Sequence, residues 1–174
     1  LNLLRTLQAM GGNMSFREAL RIRLSIIKPT KHIIDEFNQV HMSSDHLLTP
    51  RVDALIRLLQ SRQTPVYLIS GGFRMIINPV ADRLGVDRTH VFANTLLFDE
   101  QGNYVGFDEN EMPSESGGKG RVIDYLKRTH KYKNVIMIGD GATDLETCPP
   151  ADGFIGFGGN VIREKVKENS EWFI

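Results

Sequence analysis

Cysteine is almost missing from these 174 residues: Cys148 stands alone beside Pro149-Pro150. No internal disulfide can form, and a reducing compartment suits the chain. A small buried or partly buried residue is the expectation for it. An excess of charge is missing too, since 21 Lys plus Arg meet 21 Asp plus Glu, so no field favours nucleic acid or a membrane surface. No run approaches the ~18 apolar residues of a membrane span. Repeats and low-complexity segments are absent, and His32, His41, His46, His90 and His130 share no metal-ligand spacing. What is present is a hydrophobic fraction of 41%, enough for a packed core, in a length that suits one domain or a small domain with an insertion.

The most informative stretch is Asn134-Val-Ile-Met-Ile-Gly-Asp-Gly-Ala-Thr-Asp144. An apolar, β-branched run reads as a buried parallel strand that delivers Asp140 to its carboxyl end, where α/β sheets keep their ligand sites. Gly139 and Gly141 are expected to let the backbone turn, with Asp144 one helical turn further on. Two carboxylates so placed suit a hard cation such as Mg²⁺, which binds through one or two carboxylates plus substrate phosphate. A lone aspartate capping the next helix is the alternative that this segment leaves open.

Three other segments bear on that choice. Pro65-Val-Tyr-Leu-Ile-Ser-Gly-Gly72 reads as a second apolar strand, and Phe73 to Val80 as a helix. The Ser70 hydroxyl and backbone N–H groups at a helix start can cradle phosphate, or Ser70 is merely a cap. Glu115-Ser-Gly-Gly-Lys-Gly120 resembles a Walker loop in letters, but the glycine spacing and the preceding strand are missing. Lys119 then serves as a point charge for a phosphoryl oxygen or lies in a basic surface loop. Gly153-Phe-Ile-Gly-Phe-Gly-Gly-Asn160 reads as a glycine-rich strand and turn opening a helix from Val161 to Glu168.

Along the chain, residues 1 to about 45 read as helical, with Phe16–Ile27 carrying an apolar stripe and Pro29-Thr30 restarting the chain into Lys31 to Val40. Thr49-Pro50 opens a helix from Arg51 to Arg62. Strands and helices then alternate as a parallel doubly wound sheet requires, with a β-hairpin at Thr95–Phe98 and Asn103–Phe107 around Asp99-Glu-Gln-Gly102. Met75-Ile-Ile77 and Val80 read as core packing.

In their order, the strings Ala9-Met-Gly-Gly12, Leu68-Ile-Ser-Gly-Gly-Phe-Arg74, Val91-Phe-Ala-Asn94, Glu115–Gly120, Ile136–Asp144 and Phe154–Arg163 resemble the haloacid dehalogenase superfamily of phosphohydrolases, and within it the branch acting on O-phosphoserine. The resemblance implies an α/β fold: a Rossmann-like core with a parallel sheet over 49–174, a β-hairpin, and a partial helical cap over 1–48 that sets substrate specificity. It implies a Mg²⁺-dependent, cytoplasmic phosphomonoesterase that works through an aspartyl-phosphate intermediate and completes serine biosynthesis. A small-molecule substrate, no nucleic acid and no membrane follow from it, and a homodimer of the full-length protein stays open.

The same resemblance assigns roles. Asp140 becomes a metal ligand, and Asp144 a second ligand, a holder of the ion's waters or the group that orients Lys119. Lys119 neutralises phosphoryl charge. Ser70 and the Gly71 N–H bind phosphoryl oxygens with Gly72 close by, and Thr143 contacts substrate. Met10, Gly11, Arg23 and Arg163 belong to the substrate-reading set, Arg23 gripping the substrate carboxylate with its guanidinium fork. Solvated helix positions are the alternative for Arg23 and Arg163.

One departure counts against full activity. The family's core begins with a strand ending in Asp-x-Asp-x-Thr or Val, which supplies nucleophile and general acid/base, and no Asp-x-Asp occurs here. The chain is therefore expected to be a piece lacking that strand and the family's last elements, and to be inactive by itself. A sheet without that strand bares two apolar edges, and such edges favour aggregation. Rival readings are another phosphatase or phosphotransferase of the superfamily and a non-catalytic binding protein, with a P-loop nucleotide binder disfavoured by the missing strand before Lys119.

Overall fold

Ser15 starts the first described helix: its hydroxyl accepts the Glu18 N–H while the Glu18 carboxylate accepts the Ser15 N–H, a reciprocal cap on α1 (Phe16–Ile27). This computed structural model describes residues 14–42, 44 and 48–174, in two compact units, Leu1–Glu115 and Ser116–Ile174. Thr30 caps α2 (Lys31–His41) through the Ile33 N–H, so the restart expected after Pro29 is real.

In the first unit α3 (Val52–Ser61) leads to β1 (Leu68–Phe73), α4 (Arg74–Leu84) and β2 (Val91–Asn94), and β1 pairs parallel with β2. The hairpin follows as β3 (Leu96–Phe98) and β4 (Tyr104–Phe107), antiparallel, turned by Asp99, whose carboxylate accepts the N–H groups of Gln101 and Asn103. Arg51, expected inside the helix, instead takes a left-handed conformation (φ 70°) as the residue before it. Two apolar clusters hold this unit. Ile56, Ala81, Leu84, Val86, Val91 and Ala93 pack α3 and α4 on the β1–β2 pair, with Ile77 and Val80 joining them. Leu20, Leu24, Ile34, Leu96 and Phe107 pack α1 and α2 on the hairpin, with Met75 and Ile76 added. The stripe over residues 75–80 is thus core, and each such aliphatic side chain contributes roughly 1.5–3 kcal/mol when fully buried.

A polar bolt crosses the same unit. Arg74 donates from Nε and NH2 to Glu111 at 2.9 and 3.1 Å and from NH1 to the Val91 carbonyl, while Thr95 donates to the same carboxylate at 2.9 Å. Both charged side chains are largely covered, at 29% and 18% exposure. Arg74→Ala should therefore lower the unfolding free energy by about 2–3 kcal/mol, and Arg74→Lys should restore less than half of it because the two-pronged fork is lost. Urea unfolding of the three proteins checks this.

The second unit runs α5 (Gly118–His130), β5 (Ile136–Gly139), α6 (Ala142–Leu145), β6 (Gly153–Gly156), α7 (Glu164–Glu168) and β7 (Trp172–Phe173), with a parallel sheet in the order β5-β6-β7. Val122, Ile123, Leu126, Ala151, Phe154 and Val166 are its buried apolar residues. Three expectations change here. β5 is an edge strand of this sheet rather than a buried one, with Ile136 and Ile138 exposed at 55% and 45%. The last helix begins at Glu164, not Val161, because Arg163 is extended (φ −108°, ψ 111°) and Val161 and Ile162 stay outside it. Cys148 is exposed, its thiol donating to the Ala151 carbonyl. The glycine-rich run is explained by packing, since a Cβ at Gly158 would lie 2.6 Å from Phe173 Cζ.

Lys127 ties α5 to the loop before β6 through both oxygens of Asp152 at 2.8 Å, and the Val135 N–H donates to the same carboxylate. The Lys127 hydrogen bond first, then the Val135 N–H, hold the Asp152 carboxyl below its ordinary range. A depressed folded pKa stabilises above the unfolded value of about 3.9 and loses that stabilisation as pH falls through the folded value. The melting-temperature gap between wild type and Asp152→Asn should be full at neutral pH and close below about pH 4. A gap that persists there would sink the assignment.

Candidate functional site

In the second unit the apolar run of β5 ends at Gly139, whose carbonyl accepts the Phe157 N–H, and Asp140 follows immediately beyond the strand. Gly141 is extended (φ −104°, ψ 157°) and starts α6, which carries Asp144. The Asp144 carboxylate is buried, with 6% side-chain exposure, and both of its oxygens are engaged. Oδ2 accepts the Gly141 N–H at 3.0 Å, and Oδ1 accepts from Lys119 Nζ at 2.5 Å. Lys119 reaches it from the first turn of α5, after Gly117 in a left-handed conformation (φ 69°) that glycine adopts without strain. Lys119 is thus a partly buried, ion-paired helix residue, not part of a surface loop.

Glycine at 139 has a different reason from the one expected. Neither Gly139 nor Gly141 has a positive φ; a Cβ at 139 would overlap Asp144 Cγ and lie 2.5 Å from Asp144 Cβ. The residue is small so that the Asp144 side chain can lie against the backbone.

Asp140 is more open, at 42% side-chain exposure, and Arg163 approaches it with NH2 at 3.5 Å from Oδ2. The unit therefore brings together Lys119 with Asp144 and Asp140 with Arg163, a pairing of two acids with two bases that spacing alone did not reveal. Thr143 is exposed on α6. Among the described residues no group of three His, Cys, Asp or Glu is placed to hold a metal. A single exposed carboxylate oxygen donor still fits a hard ion that takes most of its ligands from water and phosphate.

In the first unit Ser70, Gly71 and Gly72 fall where the β1–β2 register shifts, between Ile69 and Phe73. Ser70 Oγ accepts the Gly72 N–H at 3.0 Å, and Asn94 Nδ2 donates to the Gly71 carbonyl at 2.8 Å. Phe16 lies over this turn, since a Cβ at Gly71 would sit 3.2 Å from Phe16 Cζ. Arg23 is exposed on α1. Met10 and Gly11 lie outside the described residues. Arg21, on the same helix as Arg23, is engaged by Glu109 at 2.6 Å, a hydrogen bond that pulls the Glu109 carboxyl below its usual range. Two residues received no role from the sequence: Asn94, which closed the Val91–Asn94 string and is partnered 23 residues away, and Glu111, partnered 37 residues away.

Comparison with known proteins points to a family. The sequence pattern of the haloacid dehalogenase-like hydrolases matches residues 2–148. The phosphoserine phosphatase of Bos taurus is 51% identical over 169 residues, covering 97% of this chain and 74% of that protein. That of Homo sapiens is 50% identical over the same shares. A phosphoserine phosphohydrolase-like protein from Francisella tularensis superposes with a TM-score of 0.82 at 32% identity, covering 94% of this chain and 74% of that one. These matches place the chain in the haloacid dehalogenase-like hydrolase family.

Proposed function

We propose that this chain is the substrate-reading and phosphoryl-binding part of a phosphatase that hydrolyses O-phosphoserine to serine and phosphate. The observation that carries the phosphoryl reading is Lys119, its ammonium fixed at 2.5 Å by the buried Asp144 in the unit that also exposes Asp140. A dianionic phosphomonoester resists a carboxylate nucleophile until its charge is neutralised, and a preorganised cation does this without reorganisation. One of the three ammonium protons of Lys119 is used by Asp144, which leaves donors for a phosphoryl oxygen. The relatives that share about half of this sequence are phosphoserine phosphatases, which supports O-phosphoserine as the substrate.

Asp140 is the residue that would hold Mg²⁺, with Asp144 keeping Lys119 in place. The bound ion would supply Lewis-acid charge neutralisation at the phosphoryl group. The Ser70 hydroxyl and Gly71 N–H donate to phosphoryl oxygens with Gly72 beside them, and Thr143 meets substrate from α6. Arg23, exposed on α1, grips the serine carboxylate, and Met10, Gly11 and Arg163 complete the substrate-reading set. By role, residues 1–48 read the substrate and 49–174 form the α/β core. Cytoplasmic location and a place in serine biosynthesis belong to this reading; among the described residues no helix is long and apolar enough to cross a membrane.

With no Asp-x-Asp among its 174 residues, this polypeptide is expected to bind O-phospho-L-serine in the presence of Mg²⁺ and release no phosphate. Joined to the unmatched part of the Bos taurus relative, it should hydrolyse O-phospho-L-serine in preference to other phosphomonoesters, without transfer to an added alcohol. A chimera that turns over a different ester, or only transfers the phosphoryl group, would replace the reading with a sister activity. Phosphate release by the unjoined chain would refute the assigned need for an aspartate pair.

A further inference from the structure

We infer that Asn94 is a positioning residue for the phosphoryl-binding turn: it fixes the peptide between Gly71 and Gly72 and, through that peptide, aims the Ser70 hydroxyl. This rests on the proposed phosphoryl role of Ser70. The two hydrogen bonds at this turn act on one peptide unit. Asn94 Nδ2 holds its carbonyl end at 2.8 Å, and Ser70 Oγ holds its N–H end at 3.0 Å. A plane held at both ends cannot rotate.

Ser70 Oγ uses an acceptor site on Gly72, so its own O–H proton is left to donate outward. Hydrogen bonds in series polarise one another, so the Asn94 bond to the carbonyl strengthens the N–H···Oγ bond and makes the hydroxyl a better donor to an anion. Asn94 is suited to the task by its surroundings. It has 0% exposure, at the carboxyl end of β2, where its Cα pairs with that of Phe73 just past the shifted register. Its Oδ1 has no partner among the described residues. A buried amide that leaves its acceptor unsatisfied gives up stability that an apolar residue would keep. Packing alone therefore does not account for asparagine here, whereas the donor on Gly71 does.

The test is a titration of the ¹⁵N-labelled 174-residue chain with O-phospho-L-serine and Mg²⁺, following the Gly72 amide signal in wild type, Asn94→Ala and Asn94→Asp. Asn94→Ala should weaken binding by about three- to tenfold, the worth of one hydrogen bond. It should also speed Gly72 amide exchange. Asn94→Asp should bind poorly at about pH 8 and, measured against wild type at each pH, recover towards about pH 5, where the protonated carboxyl can donate to the Gly71 carbonyl in place of the amide. A residue that only fills the core would leave that ratio flat among folded molecules. If Asn94→Ala does not fold, the pH series on Asn94→Asp decides.

Variants that bind like wild type at every pH would overturn the inference and leave the phosphoserine reading standing. A wild type that binds no phosphoserine sinks that reading instead; faster Gly72 exchange in Asn94→Ala would then still support the pinned peptide, and unchanged exchange would overturn it. A wild-type spectrum with no dispersed Gly72 signal overturns the pinned peptide outright.

Discussion

Replacing Lys119 with alanine should cost this chain about 3–5 kcal/mol of stability and abolish phosphoserine binding. The cost comes from what is left behind. Asp144 is 6% exposed, and without the ammonium at 2.5 Å its carboxylate keeps one hydrogen bond, from the Gly141 N–H. An unpaired buried charge is far more expensive than an absent pair. Asp144→Asn should cost less, about 1–2 kcal/mol, for two reasons. The amide oxygen can still accept from Gly141, and the stranded lysine, 20% exposed, can swing towards water. The double variant Lys119→Ala/Asp144→Asn should be more stable than Lys119→Ala alone, so that adding the second change restores stability. Urea unfolding of the four proteins measures the coupling. Additive losses would mean that the pair does not form.

That pair also locates what could be read from the sequence and what could not. Signals that act within a few residues were legible. The apolar stripe marked Phe16–Ile27, which is the span of α1. Asp99 and Gly102 set the hairpin turn, Gly102 with φ 80°. Asp140 lies just past a parallel strand as its apolar run required. Contacts between distant residues were not legible in the local pattern, and the resemblance left the Lys119–Asp144 contact as one of several alternatives. Lys119 and Asp144 are 25 residues apart, and nothing in either segment says whether Asp144 turns towards an ion or towards a lysine. The edge position of β5 was foreshadowed by the missing first strand, which bares apolar sheet edges, although an apolar run by itself signals burial. Val161 and Ile162 misled in a different way. The glycine-rich turn suggested a helix from Val161, but β-branched residues are also at ease outside helices, and Arg163 before the helix is extended.

Gly139→Ala should be strongly damaging to the second unit. An added Cβ would overlap Asp144 Cγ and come within 2.5 Å of Asp144 Cβ and Oδ2. The obstacle is not the free end of a flexible side chain. Asp144 is held by Lys119 and by Gly141, its residue is 4% exposed, and its carbonyl accepts the hydroxyl of Thr147, itself 1% exposed. Relief requires moving α6 or β5, and overpacking of this kind costs about 1–3 kcal/mol. Moving Asp144 also loosens its grip on Lys119, so binding of O-phospho-L-serine should fall further than stability does. Gly141→Ala is the control, because its Cβ would meet Asp144 Oδ2 at 3.1 Å, a contact that a small shift relieves. Thermal unfolding and phosphoserine titration of both variants separate the cases. If Gly139→Ala matches Gly141→Ala in both, the close approach of Asp144 to the strand end is not what keeps residue 139 small.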